Sequence, residues 1–163
     1  MPNVYLENDA VISECGKYRY LLRRTWDHNR PRALLVMLNP STADATLDDA
    51  TIRSCVRLLN GQGYGSMEVV NVYAYRATDP SELAKQADPF GPCNEATVAA
   101  AVARCDVVVC AWGAYPPARE HARRILNEAR SRRPAVYCFG KTKAGAPKHP
   151  LYIKSGTPLQ AFG

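Results

Sequence analysis

The 163-residue sequence predicts an α/β domain: a mainly parallel four-stranded sheet covered by helices in a three-layer α/β/α arrangement, plus a short N-terminal antiparallel hairpin. Three observations carry that expectation. Four short runs rich in Val, Leu and aromatic residues are nearly continuous in their apolar character, as strands buried on both faces are. Three longer segments repeat apolar residues with helical spacing. The two kinds alternate along the chain, which is the pattern of parallel strands joined by right-handed helical crossovers.

The elements follow in order. Within 1–30, CGKYRYLLRRTWD alternates in part after a polar stretch and reads as the antiparallel addition. The first parallel strand is 33–38 (ALLVML). A helix over about 48–60 follows, with Ile52, Val56 and Leu59 on one stripe and Gly61 as its stop. The second strand is 67–73 (MEVVNVY). The second helix, about 94–105, carries Val98, Ala101, Val102 and Cys105 on one face, with Asn94 as its expected N-cap. The third strand is 106–112 (DVVVCAW). The third helix, about 117–131, opens on Pro117 and stacks Ala118, Ala122, Ile125, Leu126 and Ala129. The fourth strand is 135–139 (AVYCF), and the whole of 1–163 reads as one domain.

Composition excludes several classes. With 47% hydrophobic and 22% charged residues the chain has the make-up of a globular domain rather than of a disordered segment. No apolar run approaches the roughly 18–20 residues of a membrane span. MPNVYLENDA lacks the basic head and apolar stretch of a signal peptide, so the expectation is a cytoplasmic protein. The six cysteines (Cys15, Cys55, Cys93, Cys105, Cys110, Cys138) show no C-x-x-C spacing and no close His partner. They read as reduced, mostly buried thiols, with no metal or cofactor implied. An iron–sulfur cluster is open on cysteine count alone, with no spacing behind it.

Charge is uneven along the chain. Residues 118–154 hold ten of the 21 Lys and Arg residues but only two of the 15 acids. A basic surface on part of a domain suits a phosphate-bearing partner. A solvated helix face is the other reading.

In open parallel α/β sheets, ligands bind beyond the carboxyl ends of the strands. The residues there are Asn39, Pro40, Ser41 and Asp44 after the first strand; Asn71 and Arg76 at the second; Trp112 at the third; and the stretch from Gly140 through Lys141, Lys143, Lys148 and His149 after the fourth. Each has a structural reading too. Asn39, Ser41 and Asp44 suit turns and caps, Arg76 suits a pair with Asp79, and Trp112 suits a core. Asn71 sits in a strand expected to be buried on both faces, where an unpartnered amide costs about 1–3 kcal/mol. His149, in a Lys-His-Pro loop, is a poor core residue. Gly140-Lys141-Thr142 lacks the leading glycine and following helix of a P-loop, and Ser41 lacks the nucleophile elbow of a Ser–His–Asp hydrolase.

The strings MLNPSTADATLDDATIRSC, VVNVYAYRATDP, AWG and GKTKAGAPKHPLYI resemble a bacterial and phage family described as a domain of unknown function, over nearly the whole chain. A more distant resemblance is to the uracil-DNA glycosylase superfamily. Asn39-Pro40 is similar to its first motif, Asn71 in VVNVYAYRA to its base-reading Asn, and His149-Pro150-Leu151 to its last motif. The resemblance implies hydrolysis of an N-glycosidic bond to a base in DNA or a nucleotide, or a non-catalytic binding module on the same fold. Asn39 or Asp44 would position the attacking water, and His149 would stabilise charge on the departing base. Pro40, Ser41, Asn71, Arg76 and Trp112 would contact substrate. Arg123, Arg124, Lys141, Lys143 and Lys148 would hold phosphates. Ser41 stands where the glycosylase motif has glycine, and the second Ser-Pro of the last motif is missing. Hydrolysis of some other small substrate by Ser41, Asp44 and His149 is a third reading.

Overall fold

The computed structural model describes residues 5–133 and 135–163; the first four residues of the expected N-terminal addition lie outside them. Among the described residues seven strands and three α-helices follow in order: β1 (Glu7–Ile12), β2 (Arg19–Thr25), β3 (Arg32–Met37), α1 (Ala50–Gly61), β4 (Ser66–Asn71), α2 (Asn94–Arg104), β5 (Val107–Cys110), α3 (Arg119–Arg132), β6 (Tyr137–Cys138) and β7 (Gln160–Ala161).

The strands form one mixed seven-stranded sheet in the order β1-β2-β4-β3-β5-β6-β7. β3 pairs in parallel with β4 and β5, and β5 with β6. β2 runs antiparallel to β4, β1 to β2, and β7 to β6. The sheet is therefore larger than the four-stranded sheet plus hairpin expected from sequence. The N-terminal pair extends it through β4. At the other edge β7 adds a strand from two exposed residues, which carry no apolar pattern.

Two cores flank the sheet. On one face Ala33, Leu35, Val69, Val107 and Val109 pack with Ile52, Val56 and Leu59 of α1. On the other, Leu34, Val36, Val70 and Val108 pack with Val98 and Val102 of α2 and Ala122 and Ala129 of α3. Continuous apolar strands are required here because both faces are covered, and each fully buried aliphatic side chain contributes about 1.5–3 kcal/mol.

Three local expectations are corrected. Asn94 is the first residue of α2 rather than its cap; Cys93 occupies the cap position, and the Asn94 Nδ2 donates to the Asn71 and Val72 carbonyls at 2.9 and 3.2 Å. Pro117 lies in a separate single turn, Pro116–Ala118, before α3 begins. The fourth parallel strand shrinks to Tyr137–Cys138, since it has only one parallel register pair with β5.

Toward the amino end of β4, fully buried Glu68 accepts hydrogen bonds from Arg104 and Arg32 at 2.9 Å, and Arg23 lies 3.5 Å away. Burial alone would raise its pKa. The three guanidinium groups reverse that and hold the carboxyl below its ordinary value. All six cysteines are free, with Cys55, Cys105, Cys110 and Cys138 buried. Among the described residues no helix is long and apolar enough to cross a membrane.

Candidate functional site

A cavity of about 350 Å³ opens at the carboxyl ends of β3 and β4, within the usual range for small-ligand sites. Its buried wall consists of Arg19, Met37, Leu38, Pro40 and Ile52, while Ala50 and Thr78 stand exposed at the mouth. Asn39, Ser41, Asp49, Thr51 and His149 supply its remaining polar side chains.

Each side chain arrives by a local cause. Asp49 is the N-cap of α1: its Oδ1 accepts the Ile52 N–H at 2.9 Å and its Oδ2 the Ala43 N–H at 3.4 Å. The preceding loop is anchored by the buried Arg24, whose Nε donates to Asp48 at 2.8 Å and whose Nη2 donates to the Asp44 carbonyl at 2.6 Å. His149 follows a tight loop in which Lys148 N–H bonds Gly140 and Thr142 N–H bonds Ala146. Gly113 at φ +74° lets its N–H reach the Pro147 carbonyl at 2.8 Å, tying that loop to the end of β5.

His149 is half-buried, and its Nδ1 accepts the Leu151 backbone N–H at 3.2 Å. That bond assigns the ring proton to Nε2. Burial pushes the imidazole pKa below the ordinary histidine value, and the charge of Asp49 opposes the shift only in part. At neutral pH the ring is therefore a neutral donor. The cavity joins that donor to a carboxylate acceptor and to a buried cation.

Arg19 reaches this face through an irregularity in β2. Val11 registers with Leu21 but Ile12 with Arg19, so Tyr20 is an extra residue on β2. Leu22 packs in the α1 core. Without the bulge, alternation would give Tyr20 that face and send Arg19 to the other. Tyr20 instead abuts Gly91, where a Cβ would come within 2.8 Å of its hydroxyl.

A family model described as "Protein of unknown function (DUF1643)" matches residues 19–151. The chain belongs to this family. The DUF1643 match begins at Arg19 and ends at Leu151, the outermost residues of the cavity wall, so every residue lining the cavity lies inside it. No curated protein and no solved structure matches the chain.

The residues singled out from sequence divide into those brought together and those held apart. Asn39, Pro40, Ser41 and His149 share the cavity. The Asn39 amide nitrogen bonds the Ala77 carbonyl at 2.7 Å, joining the loops after β3 and β4. Asn71 is fully buried, and among the described residues neither its Oδ1 nor its Nδ2 has a hydrogen-bond partner. It registers opposite Met37 of the cavity wall, so the two side chains share a face of the sheet.

Asp44 stands outside the cavity. Its Oδ1 accepts the N–H groups of Thr46 and Leu47 at 3.0 and 2.8 Å, which hold its carboxyl below the ordinary range. The Arg76 guanidinium bonds the Ser41 and Thr42 carbonyls rather than Asp79; Asp79 caps Ser81. Trp112 is buried against Phe162 and lines a second cavity, of about 230 Å³, with Arg119 and Arg123. Arg124 faces a different groove, beside Glu95 and His121. Lys141 lies over the Phe162 ring, Lys143 is exposed in the turn, and the Lys148 stem packs over Gly140.

Sequence reasoning missed Asp49 and Arg19. A signal existed for Asp49, since an Asp just ahead of an amphipathic run is an N-cap candidate. Arg19 had none, because a bulge changes which face a strand residue takes without changing the sequence pattern.

Proposed function

We propose that this chain recognises a nucleobase-bearing ligand, a nucleotide or a base in a polynucleotide, in the cavity beyond β3 and β4, and that it hydrolyses the N-glycosidic bond. The observation that carries the reading is the meeting of Asn39-Pro40 and His149-Leu151 across one cavity, which the Asp49 carboxylate and the buried Arg19 guanidinium also line. The parallel strands in the order second, first, third, fourth, with helices on both faces, support a uracil-DNA glycosylase-like three-layer α/β/α core.

In the proposed reaction Asp49 orients a water and takes its proton as the water oxygen attacks the sugar carbon. The carbon–nitrogen bond breaks, and its electron pair leaves with the base. The Nε2–H of His149 donates to the base oxygen on which that charge collects, a contact that strengthens in the transition state. Asn71 lies outside the cavity lining, so its amide, with both ends unspent among the described residues, does not contact the base in this arrangement. Asn39 holds the two loops rather than the water.

A second reading has one observation in its favour. Ser41 lines the cavity with its Oγ 3.3 Å from Thr78 Oγ1, so the side chain narrows the approach that a glycine leaves open. That favours a binding module without turnover. The deciding experiment incubates the protein with uracil-, modified-thymine- and mismatch-containing oligonucleotides and with nucleotides, and measures free base and abasic sites. Base release lost in His149→Ala supports the hydrolase; binding without release on every substrate supports the module.

A further inference from the structure

We propose that Arg19 is an anion-binding group and that the cavity takes its ligand by a terminal phosphate monoester; the choice of phosphate rests on the nucleotide reading above, while the role of Arg19 does not.

Two buried arginines on one strand make the case by contrast. Arg24 is 0% exposed and saturated: it bonds the Asp48 carboxylate and the carbonyls of Asp9, Arg23, Asp44 and Leu47. Arg19 is 1% exposed, yet its side chain makes one hydrogen bond among the described residues, from Nη1 to the Ala43 carbonyl at 3.1 Å. Among the described residues its enclosed Nε has no hydrogen-bond partner, and no carboxylate pairs with it. A guanidinium has five N–H donors, and burying it with one acceptor is costly unless a ligand supplies the rest. Burial accordingly pulls its pKa down to about 10. Folding nevertheless turns this side chain into the cavity wall through a one-residue bulge.

The surroundings fit an anion. Ala50, Thr51 and Ile52, the first turn of the 12-residue helix α1, line the same cavity. Asp49 caps the Ile52 N–H, and the N–H groups of Ala50 and Thr51 have no intrahelical acceptor. Asp49 contributes an opposing charge, but both its oxygens are engaged by N–H groups. A phosphodiester must lead two chains away from its phosphorus, whereas a monoester leads one. A buried cation in a concave wall therefore suits the terminal group, and a bidentate guanidinium contact matches its geometry.

The test titrates ribose 5-phosphate and dimethyl phosphate into ¹⁵N-labelled protein and follows the Arg19 Nε–H signal and the amides of 50–52. The monoester is expected to move those signals and saturate, and the diester to leave them unmoved. Arg19→Gln should weaken monoester binding about 10- to 100-fold, and Arg132→Ala, at an exposed arginine paired with Glu128, should leave it unchanged. The proposal is overturned by no monoester binding, by equal binding of the diester, by unchanged affinity in Arg19→Gln, or by binding that leaves the Arg19 signal still. Because that signal is read on the wild-type protein, it decides the matter even where the variant does not fold. Comparing a nucleoside 5′-monophosphate with a 5′-phosphorylated dinucleotide tells a free nucleotide from a strand end. Monoester binding at Arg19 without base release defeats the hydrolase and leaves this assignment standing; base release with no preference for phosphate does the reverse.

Discussion

His149 Nδ1 accepts the Leu151 N–H at 3.2 Å, leaving Nε2 to carry the ring proton at the cavity. An electrostatic stabiliser of a leaving group acts mainly in the transition state. His149→Ala should therefore lower turnover by about 10²-fold or more while changing ligand affinity little. Single-turnover base release and a binding titration on the same variant check this. A loss of affinity equal to the loss of rate would make His149 a ground-state contact instead.

The same burial gives a pH signature. The folded-state pKa of His149 lies below the ordinary value near 6.5. Between those two values the unfolded chain binds the extra proton, so stability rises with pH across that window and levels off above it. As pH falls through the folded pKa the contribution is lost. Urea midpoints from pH 5 to 8 should show this rise in the wild type and a flatter profile in His149→Gln. Parallel profiles in the two proteins would remove His149 as the source.

Glu68 gathers Arg23, Arg32 and Arg104, whose side chains are each about a third exposed (34–35%), around a carboxylate that is itself 0% exposed. Glu68→Gln leaves Arg32 and Arg104 without their counter-charge and Arg23 with Asp9 alone, at 3.6 Å, and should cost about 3 kcal/mol, the low end for breaking a buried pair because the arginines stay partly hydrated. The denaturant midpoint should fall with the slope unchanged. Its depressed carboxyl pKa adds that stability is lost as pH drops from the ordinary carboxylate range through the folded value. A loss below about 1 kcal/mol would mean the arginines hold the strand without it.

How much of this was legible depends on what each residue's sequence neighbours can encode. β3, β4 and β5 were readable because continuous runs such as ALLVML have no other use than burial on both faces, and the helix stripes Ile52/Val56/Leu59 and Val98/Ala101/Val102 point inward as their spacing requires. β7 was not, since Gln160–Ala161 is an exposed edge pair held by β6 alone. The convergence of Asn39 and His149 followed from both being at strand ends. The choice between Asp44 and Asp49 did not follow, because two acids five residues apart in one loop both read as turn or cap residues. Only the fold turns Asp44 onto its own backbone and Asp49 to the cavity.

The basic segment separates into two faces of α3. Arg123, with Arg119, borders the cavity beneath Trp112, whereas Arg124 borders the groove toward α2. Polynucleotide binding at the Trp112 side predicts that Arg119→Ala with Arg123→Ala lowers the salt slope by roughly one per lost phosphate contact, and that Arg124→Ala leaves it unchanged. An unchanged salt slope in the double substitution would return them to a solvated helix face, and an equal reduction from Arg124→Ala would extend the phosphate contacts to the other side of α3.

The central claim is that the cavity joining Arg19, Asp49 and His149 is where this protein meets its ligand. Backbone amide shifts of the ¹⁵N-labelled protein, titrated with a panel of nucleoside 5′-monophosphates, test it most directly. The account predicts saturable shifts concentrated at Arg19, Asn39–Ser41, Asp49–Ile52, Ala77–Thr78 and His149–Leu151. Shifts concentrated in the α2–α3 groove around His121 and Arg124, or no saturable shifts for any nucleotide, would contradict it.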